Sequence, residues 1–535
     1  MNKLNVFFLP LFLSLIIVCN NTSTKGTSTE SNSTVRNSSN TSSGTTTENG
    51  NNATTSESHT TVTSTVNSSH TQKSHEETKQ ETTKTSSHTV NPNYLFGFNT
   101  ANAFEVLSAK DNGNVKLVSD VSPSILRFPG GTIANYYHVT GSGYGFREED
   151  VQKYEHKMMN KKLQGVETGN NYIYDFIDFA KAAKLKDVIY VANILSADYS
   201  ETETALDILQ KGGLNVVAVE LGNELFSQTF RQYVNGIDGY INLSRNFAVK
   251  LKRKYPNIKL GVVTAPMGEK VSKNHMEWNN KLSKLNFYDA VIFHAYPPTQ
   301  NYEAISNLDN QFDEVKGFLV NYLQQKLPNI VASYKNLFPG KELWVTEWNL
   351  PVSDKYANTM LHALFITQFQ LQLRYLQMQY PNLSLACYHN LATPKDKLFS
   401  IINNLGNKNA VSVSSNYDLF SNMVKCGINE KSKIEIINTN NSDCFVYVNT
   451  TSAGKKNYVI MNWSGNQVNN LFADNTTVSI DEVGGNKLFS SSEQNDRRFL
   501  NASGVTSLQK KHLSNQKISA SGFSIAPYSV VFINK

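Results

Sequence analysis

The stretch NVVAVELGNELFSQ, Asn215–Gln228, runs a nearly continuous apolar segment straight into Asn223 and Glu224. An apolar run of this kind is typical of a strand that is buried on both faces, as in a parallel sheet. An Asn-Glu pair at the end of such a strand has two explanations. It caps the next helix, where the helix dipole favours an acidic group, or it carries chemistry. The other strands of the chain bear on that choice.

Eight apolar runs of this type are separated by stretches with helical periodicity. They are Tyr94–Asn99, Ser124–Gly131, Asp187–Ile194, Val216–Glu224, Ile258–Pro266, Asp289–Pro298, Leu343–Leu350 and Leu383–Leu391. Eight βα units over about 300 residues predict an α/β fold, a (β/α)₈ TIM barrel, in residues 93–405. A doubly wound sheet is the competing architecture, but the first βα turn lacks its phosphate-binding glycine fingerprint.

The pattern changes after about Ser400. Short segments of alternating apolar and polar residues take over, separated by Asn, Gly and Ser turns, and no helix is predicted there. Residues 406–535 are therefore predicted to form a C-terminal antiparallel β-sandwich domain. Cys426 and Cys444 could pair in an exported protein, although their spacing alone does not decide this.

The N-terminal part has a different composition. Residues 1–19 have the shape of a signal peptide, with an apolar core that ends directly before Cys19. A Cys at that position resembles a bacterial lipoprotein site, whose acylation would attach the protein to a membrane, and the alternative is an ordinary secretory signal. Residues 20–92 are rich in Ser, Thr and Asn and are predicted to be a disordered stalk. We therefore expect export, either to the cell surface or into the medium.

The remaining composition excludes several classes of partner. The formal net charge is +6 over 535 residues, without a basic cluster, so nucleic-acid binding is not expected. The sequence has no CxxC or HExxH pattern, and no metal or other cofactor is expected. No protein partner is indicated.

Polar and aromatic residues follow the predicted strands at their carboxyl ends, where TIM barrels carry their active sites. Two of them are carboxylates, Glu224 after the fourth strand and Glu347 after the seventh, which lie across the barrel mouth from one another. Cleavage of a glycosidic bond needs two such groups, one protonated and one ionised. Glu220 lies within the fourth strand and is not expected to be catalytic.

Other side chains at these strand ends are candidates for substrate binding. They are Arg127, Asn193, Asn223, His294, Tyr296, Trp348, Tyr388 and His389. Arg127 is expected to hold Glu347 ionised, because a nearby positive charge favours the charged carboxylate. Trp348, Tyr388 and Phe128 offer flat apolar faces on which sugar rings could stack.

Four motifs at these strand ends carry a family resemblance. They are LRFPGG (Leu126–Gly131), VELGNE (Val219–Glu224), FHAY (Phe293–Tyr296) and VTEWN (Val345–Asn349). They resemble the retaining glycoside hydrolases of clan A, most closely the branch of α-L-arabinofuranosidases and heparanase-type β-glucuronidases. The resemblance covers roughly residues 93–535. It implies a double displacement on an extracellular poly- or oligosaccharide, with Glu224 as acid/base and Glu347 as nucleophile.

A second class of function stays open. The stalk would also suit a non-catalytic surface carbohydrate-binding protein or adhesin on a degenerate barrel. Both glutamates are present, however, and a binding module has no need for an opposed pair. The sequence leaves open which sugar and linkage are involved and whether action is exo or endo.

Overall fold

The structure is a computed structural model. It describes residues 94–101, 103–140, 145–153, 171–268, 271–298, 308–351, 357, 359–394, 400–404, 412–429, 431–469, 477–484, 509–517 and 524–535. The predicted signal peptide with Cys19 and the predicted stalk lie outside these ranges. Within them, no helix combines the length and the apolar character needed to cross a membrane.

Eight parallel strands close into a barrel in which each strand pairs with the next along the chain and the eighth pairs with the first. They are β1 (Tyr94–Asn99), β2 (Ile125–Phe128), β3 (Asp187–Ala192), β4 (Asn215–Leu221), β5 (Lys259–Val263), β6 (Ala290–Ala295), β7 (Glu342–Trp348) and β8 (Leu383–Tyr388). The predicted TIM barrel is confirmed, and each strand lies within one residue of its predicted segment.

Eleven α-helices are described. They are α1 (Asn112–Val121), α2 (Glu148–Lys153), α3 (Tyr172–Ala182), α4 (Tyr199–Lys211), α5 (Gln228–Arg231), α6 (Gly236–Lys254), α7 (Lys273–Ser283), α8 (Leu308–Asn321), α9 (Leu327–Leu337), α10 (Met360–Gln379) and α11 (Ser415–Lys425). Short 3₁₀ helices span Ala103–Glu105 and Thr132–Asn135, and a π-helical turn, Tyr322–Lys326, joins α8 to α9.

The amino-terminal half of the barrel interior is filled by apolar side chains, as in other packed barrels. They are Ile125, Ile189, Ala218, Ala290, Ile292, Trp344, Leu385 and Cys387. Because side chains alternate along a strand, residues two positions further on in β2 and β4 also face inward, and these are the charged Arg127 and Glu220. The apolar layer therefore closes one end of the barrel and leaves a polar layer at the carboxyl end.

The antiparallel domain that follows is also confirmed. In the described residues it is one six-stranded sheet in the order β12-β13-β14-β17-β15-β16. These strands are β12 (Lys433–Ile437), β13 (Cys444–Thr450), β14 (Lys456–Asn462), β15 (Thr477–Gly484), β16 (Gln509–Lys517) and β17 (Ser529–Asn534). A small sheet precedes it, formed by β9 (Ala392–Pro394), β10 (Ile402–Asn404) and β11 (Ser412–Val413).

Helix α10 lies between the barrel and this sheet and is buried along nearly its whole length. Polar side chains buried in such a helix need hydrogen-bond partners, and two of its glutamines find them in the sheet domain. Trp463 Nε1 donates to Gln368 Oε1 at 2.8 Å, and Tyr447 donates to Gln372 Oε1 at 3.1 Å. Residues from Asn91 to Lys535 accordingly form one compact unit.

One feature beyond residue 400 differs from expectation, and one question that the sequence left open is answered there. Helix α11 was not predicted, although Ser414 caps its first turn and Leu419, Phe420 and Met423 are its buried face. Cys426 and Cys444 are both buried and unpaired. Cys426 belongs to the main core and Cys444 to a separate apolar cluster in the sheet domain, so the two thiols are not partners.

A glycine in the barrel floor provides a stability test. A Cβ at Gly261 would lie 2.6 Å from Trp344 Cζ3 and 2.7 Å from Ile292 Cδ1. We expect Gly261→Ala to lower the free energy of unfolding by about 1–3 kcal/mol through overpacking.

The matched control is Gly317→Ala in α8, where a Cβ meets nothing within 4 Å. Alanine there should raise stability by about 0.5–1 kcal/mol because it lowers the entropy lost on folding. Urea denaturation of both variants checks the sign. Equal effects would contradict the packing described for the barrel floor.

Candidate active site

The polar layer of the barrel is organised around Arg127, whose side chain is fully buried. Its Nε and Nη2 donate to the two carboxylate oxygens of Glu220 at 2.9 and 2.8 Å. Nη2 also donates to Asn223 Oδ1, and Nη1 donates to Glu347 Oε1, each at 2.8 Å. Burial opposes the charge of Arg127, but Glu220 and Glu347 raise its pKa above the ordinary value. One guanidinium therefore joins β2 to β4 and β7 across the barrel.

Glu347 is held as a carboxylate. Tyr296 donates its hydroxyl to Oε2 at 2.9 Å, and Arg127 binds the other oxygen. Burial alone would raise the pKa of Glu347, but the positive charges of His294 and Arg127 outweigh it, and the pKa is about 2. Burial, together with the charge of Glu347, raises the pKa of Tyr296, so its phenol stays protonated and keeps donating.

An extra residue in β7 directs Glu347 into the site. From Ile292 to His294, β6 advances two residues while β7 advances three, from Trp344 to Glu347. The pairing with β8 shows the same excess between Val345 and Trp348. Such a bulge re-aims side chains next to it. Thr346 and Glu347 both reach the site here, since Thr346 Oγ1 lies 3.4 Å from His294 Nε2.

Glu224 follows β4 in a tight turn and does not cap a helix. Its φ is +47°, in the left-handed region that non-glycine residues seldom adopt. Its carbonyl accepts from Ser227 N at 2.9 Å, and Ser227 is the residue that precedes α5. The backbone conformation thus turns the Glu224 side chain toward the barrel mouth rather than onto a helix terminus.

The two glutamates converge on His294. Its Nδ1 lies 2.8 Å from Glu224 Oε1 and 3.6 Å from Glu347 Oε2. Burial lowers the pKa of His294, but Glu347 and Glu224 together raise it. One oxygen of each carboxylate and a ring nitrogen of His294 all lie within 4.8 Å of one another. Glu347 is 9% exposed and Glu224 is 37% exposed, so the site opens from Glu347 toward Glu224.

Among the described residues, these same three side chains are spaced closely enough to hold a metal ion. Carboxylate oxygens and imidazole nitrogen are suitable ligands. The guanidinium of Arg127, 2.8 Å from Glu347, repels a cation at this place. The donor set therefore fits proton transfer between its members better than it fits a divalent ion.

Asn223 is fixed by two contacts. Arg127 donates to its amide oxygen. Its backbone N–H donates to Asn135 Oδ1 at 3.0 Å, and its backbone C=O accepts from Asn135 Nδ2 at 2.8 Å. The Pro129–Gly131 turn leads directly into the 3₁₀ helix that ends at Asn135. Gly130 has φ +74°, and a Cβ there would lie 2.0 Å from Asn99 Oδ1, so the turn needs glycine. The sequence contains no pattern that singles out Asn135.

Three predicted contacts are wrong. Trp348 is buried behind the barrel wall and stacks on Phe369 of α10 at 4.5 Å. Tyr388 is buried on the same outer side, where its hydroxyl accepts from Asn416 at 3.0 Å. Both residues point away from the barrel axis because their neighbours Glu347 and His389 point inward. Phe128, offered as another stacking face, likewise stacks on Phe176 of α3 at 4.4 Å.

The side chain of Asn193 also lies elsewhere than predicted. Its amide oxygen accepts from the backbone of Leu195 and Ser196 at 3.1 and 3.0 Å. Its amide nitrogen donates to Ser196 Oγ at 2.9 Å. Both ends of the amide are thus engaged in the loop after β3, and Asn193 shapes that loop rather than facing a substrate.

His389 lies at the edge of the site. Asn99 Oδ1 accepts from Ala101 N at 3.1 Å, which identifies the other amide atom, 2.9 Å from His389 Nδ1, as a donor. Nδ1 is therefore the acceptor of the ring, and it lies 3.7 Å from Glu347 Oε2. Burial lowers the pKa of His389. Its role in substrate binding stays a prediction.

Solved structures share this architecture. A GH51 arabinofuranosidase from Xanthomonas axonopodis pv. citri has 11% identity, with a TM-score of 0.57 over 83% of this chain and 97% of that chain. An α-L-arabinofuranosidase from Thermotoga maritima, in an arabinose complex, has 14% identity and a TM-score of 0.54 over 83% and 96%. A family 51 enzyme from Bifidobacterium longum has 10% identity and a TM-score of 0.56 over the same shares.

The chain has the fold of these arabinofuranosidases. The resemblance to clan A glycoside hydrolases is thereby confirmed at the level of the fold. At this identity the likeness concerns the barrel together with its β-domain. No protein-family model matches the chain, and no curated protein matches its sequence.

The charge of Glu347 should be visible in the stability of the protein. A pKa well below the ordinary 4.5 means that ionised Glu347 stabilises the fold at neutral pH. A lowered pKa gives stability that is present above pH 4.5 and is lost as pH falls toward 2. Wild type should therefore lose more free energy of unfolding over this range than Glu347→Gln.

Urea denaturation at several pH values measures that difference. Glu435→Gln, at an exposed position of β12, is the control and should follow the wild-type pH dependence. Parallel curves for wild type and Glu347→Gln would contradict the ion pairs described for Glu347.

Proposed function

We propose that the protein is a retaining glycoside hydrolase. The observation that carries this proposal is the convergence of Glu224 and Glu347, with carboxylate oxygens within 4.8 Å of each other at the open end of the barrel. Retaining enzymes hold their two carboxyl groups about 5–5.5 Å apart, whereas inverting enzymes need about 6.5–9.5 Å to admit a water. The short separation supports the retaining mechanism.

The environments of the two glutamates suit different roles. Glu347 is the more buried, is bound by Arg127 and Tyr296, and stays ionised, as a nucleophile must. Glu224 is more exposed and contacts His294, where it can give a proton to a leaving oxygen on the outer side of the site. After Glu347 has formed the glycosyl-enzyme, Glu224 acts as base on the water that releases the sugar.

The remaining contacts support binding of a sugar between these groups. Arg127 holds the amide oxygen of Asn223, which leaves the Asn223 amide nitrogen oriented as a donor toward the hydroxyl next to the reacting carbon. Arabinofuranosides are the first substrates to test, because the three solved structures compared above are arabinofuranosidases. Glucuronides are the second, from the motif resemblance. We also propose that the enzyme acts outside the cell.

A panel of 2,4-dinitrophenyl glycosides tests the activity and the roles together. The panel covers arabinofuranoside, glucuronide, xyloside, galactoside and glucoside. Glu347→Ala should abolish turnover, whereas Glu224→Ala should keep glycosylation of this activated substrate and slow deglycosylation by about 10²–10⁴-fold. Azide should rescue Glu224→Ala by replacing water. Glycan binding without cleavage of any substrate by wild type would instead support the adhesin alternative.

Product stereochemistry tests the mechanism separately. With the substrate found in the panel, proton NMR of the first product should show the anomeric configuration of the substrate, because two displacements restore it. The slower equilibration of the product anomers by mutarotation, followed in the same spectra, is the control. An inverted first product would rule out a glycosyl-enzyme on Glu347.

A further inference from the structure

Glu220 is the most deeply buried carboxylate of the site, and neither catalytic role uses it. Its side chain is fully buried, as is that of Arg127, and both of its oxygens accept from the guanidinium. The two residues lie on β4 and β2, which are not neighbours in the barrel, so the pair spans its interior. Isolated buried charges are costly, and a pair of this geometry offsets that cost for both groups.

Arg127 thus has two anions for one positive charge. Glu347 is the second, with Oε1 at 2.8 Å from Nη1. If Glu347 is the nucleophile, it loses its charge during the reaction, whereas Glu220 does not react. The inference rests on that proposed function. A carboxylate oxygen of Glu347 bonds to the anomeric carbon, the bond from that carbon to the leaving oxygen breaks, and the proton of Glu224 passes to the leaving oxygen. Glu347 then becomes a neutral ester.

We propose that Glu220 is the permanent counter-ion of Arg127, a positioning residue that keeps the guanidinium paired while Glu347 gains and loses its charge. Without Glu220, each glycosylation would leave a buried cation with no anion. With Glu220, the charge beside the ester stays balanced. Arg127 also keeps its place, so Asn223 remains oriented when Glu347 regains its charge.

The proposal predicts different effects on the two halves of the reaction. In Glu220→Gln, formation of the ester removes the last anion beside Arg127, so its transition state is destabilised. Breakdown of the ester restores the charge of Glu347 beside an unpaired guanidinium, so that step is unaffected or faster. A role that only maintains the fold would slow both steps, or lower the active fraction, without changing their ratio.

The test is pre-steady-state kinetics with the dinitrophenyl glycoside of the sugar that wild type cleaves in the panel. The burst gives the rate constant of glycosylation, and reactivation of an enzyme trapped with the matching 2-deoxy-2-fluoro glycoside gives that of deglycosylation. Glu220→Gln should slow the burst by at least about tenfold, because loss of one partner of a buried pair is strongly unfavourable. Reactivation should be as fast as in wild type or faster.

The matched control is Glu342→Gln, the same exchange at the opposite end of the barrel. Glu342 pairs with Lys259 and accepts from Trp344 Nε1 at 3.0 Å and Ser384 Oγ at 2.7 Å. It should leave the ratio of the two rate constants unchanged. Equal slowing of both steps in Glu220→Gln would overturn the proposal while leaving the hydrolase function intact. Absence of any cleavage by wild type would instead remove the proposed function itself.

A second variant keeps the test decisive if Glu220→Gln does not fold. Glu220→Asp retains the charge with a shorter reach. If the charge is what matters, the ratio of glycosylation to deglycosylation should stay within about threefold of wild type. A tenfold fall of this ratio in Glu220→Asp, with the negative charge still present, would overturn the proposal.

Discussion

The buried guanidinium of Arg127 is the interaction on which the site depends. It lies where water cannot reach, so its charge must be met by protein groups alone. Strands β2, β4 and β7 supply them, and each must stay within hydrogen-bond distance of one planar group. The guanidinium of Arg127 therefore determines the positions of Glu220, Asn223 and Glu347 relative to one another.

This arrangement separates the two carboxylates at the barrel mouth. Glu347 lies on the inner side, bound by Arg127 and Tyr296, and its pKa is about 2. Glu224 lies on the outer side, on a strained turn beside His294. Differences in burial and in charged neighbours are how a protein gives two identical side chains two chemical roles. The barrel produces that difference within a few ångströms.

The sequence predicted the strands and most of the polar residues at their ends, because both rest on simple periodicity. It failed where a side chain's direction mattered. Tyr388 alternates with Cys387 and His389, and its outward direction was open to inference from that alternation. The direction of Trp348 could not be inferred in this way, because the extra residue of β7 interrupts the alternation of side chains along the strand. Glu220 was rightly placed in the strand, but its partner on β2 is distant in sequence and no local pattern reveals it.

Helix α10 has a consequence for how this protein can be divided. Its surface is shared between two neighbours, since Trp348 stacks on Phe369 from the barrel side while Trp463 and Tyr447 bond to it from the sheet side. A chain cut after the barrel would expose the side of this helix that the sheet covers. The β-domain completes the hydrophobic core around α10, so the barrel and the sheet form one compact unit.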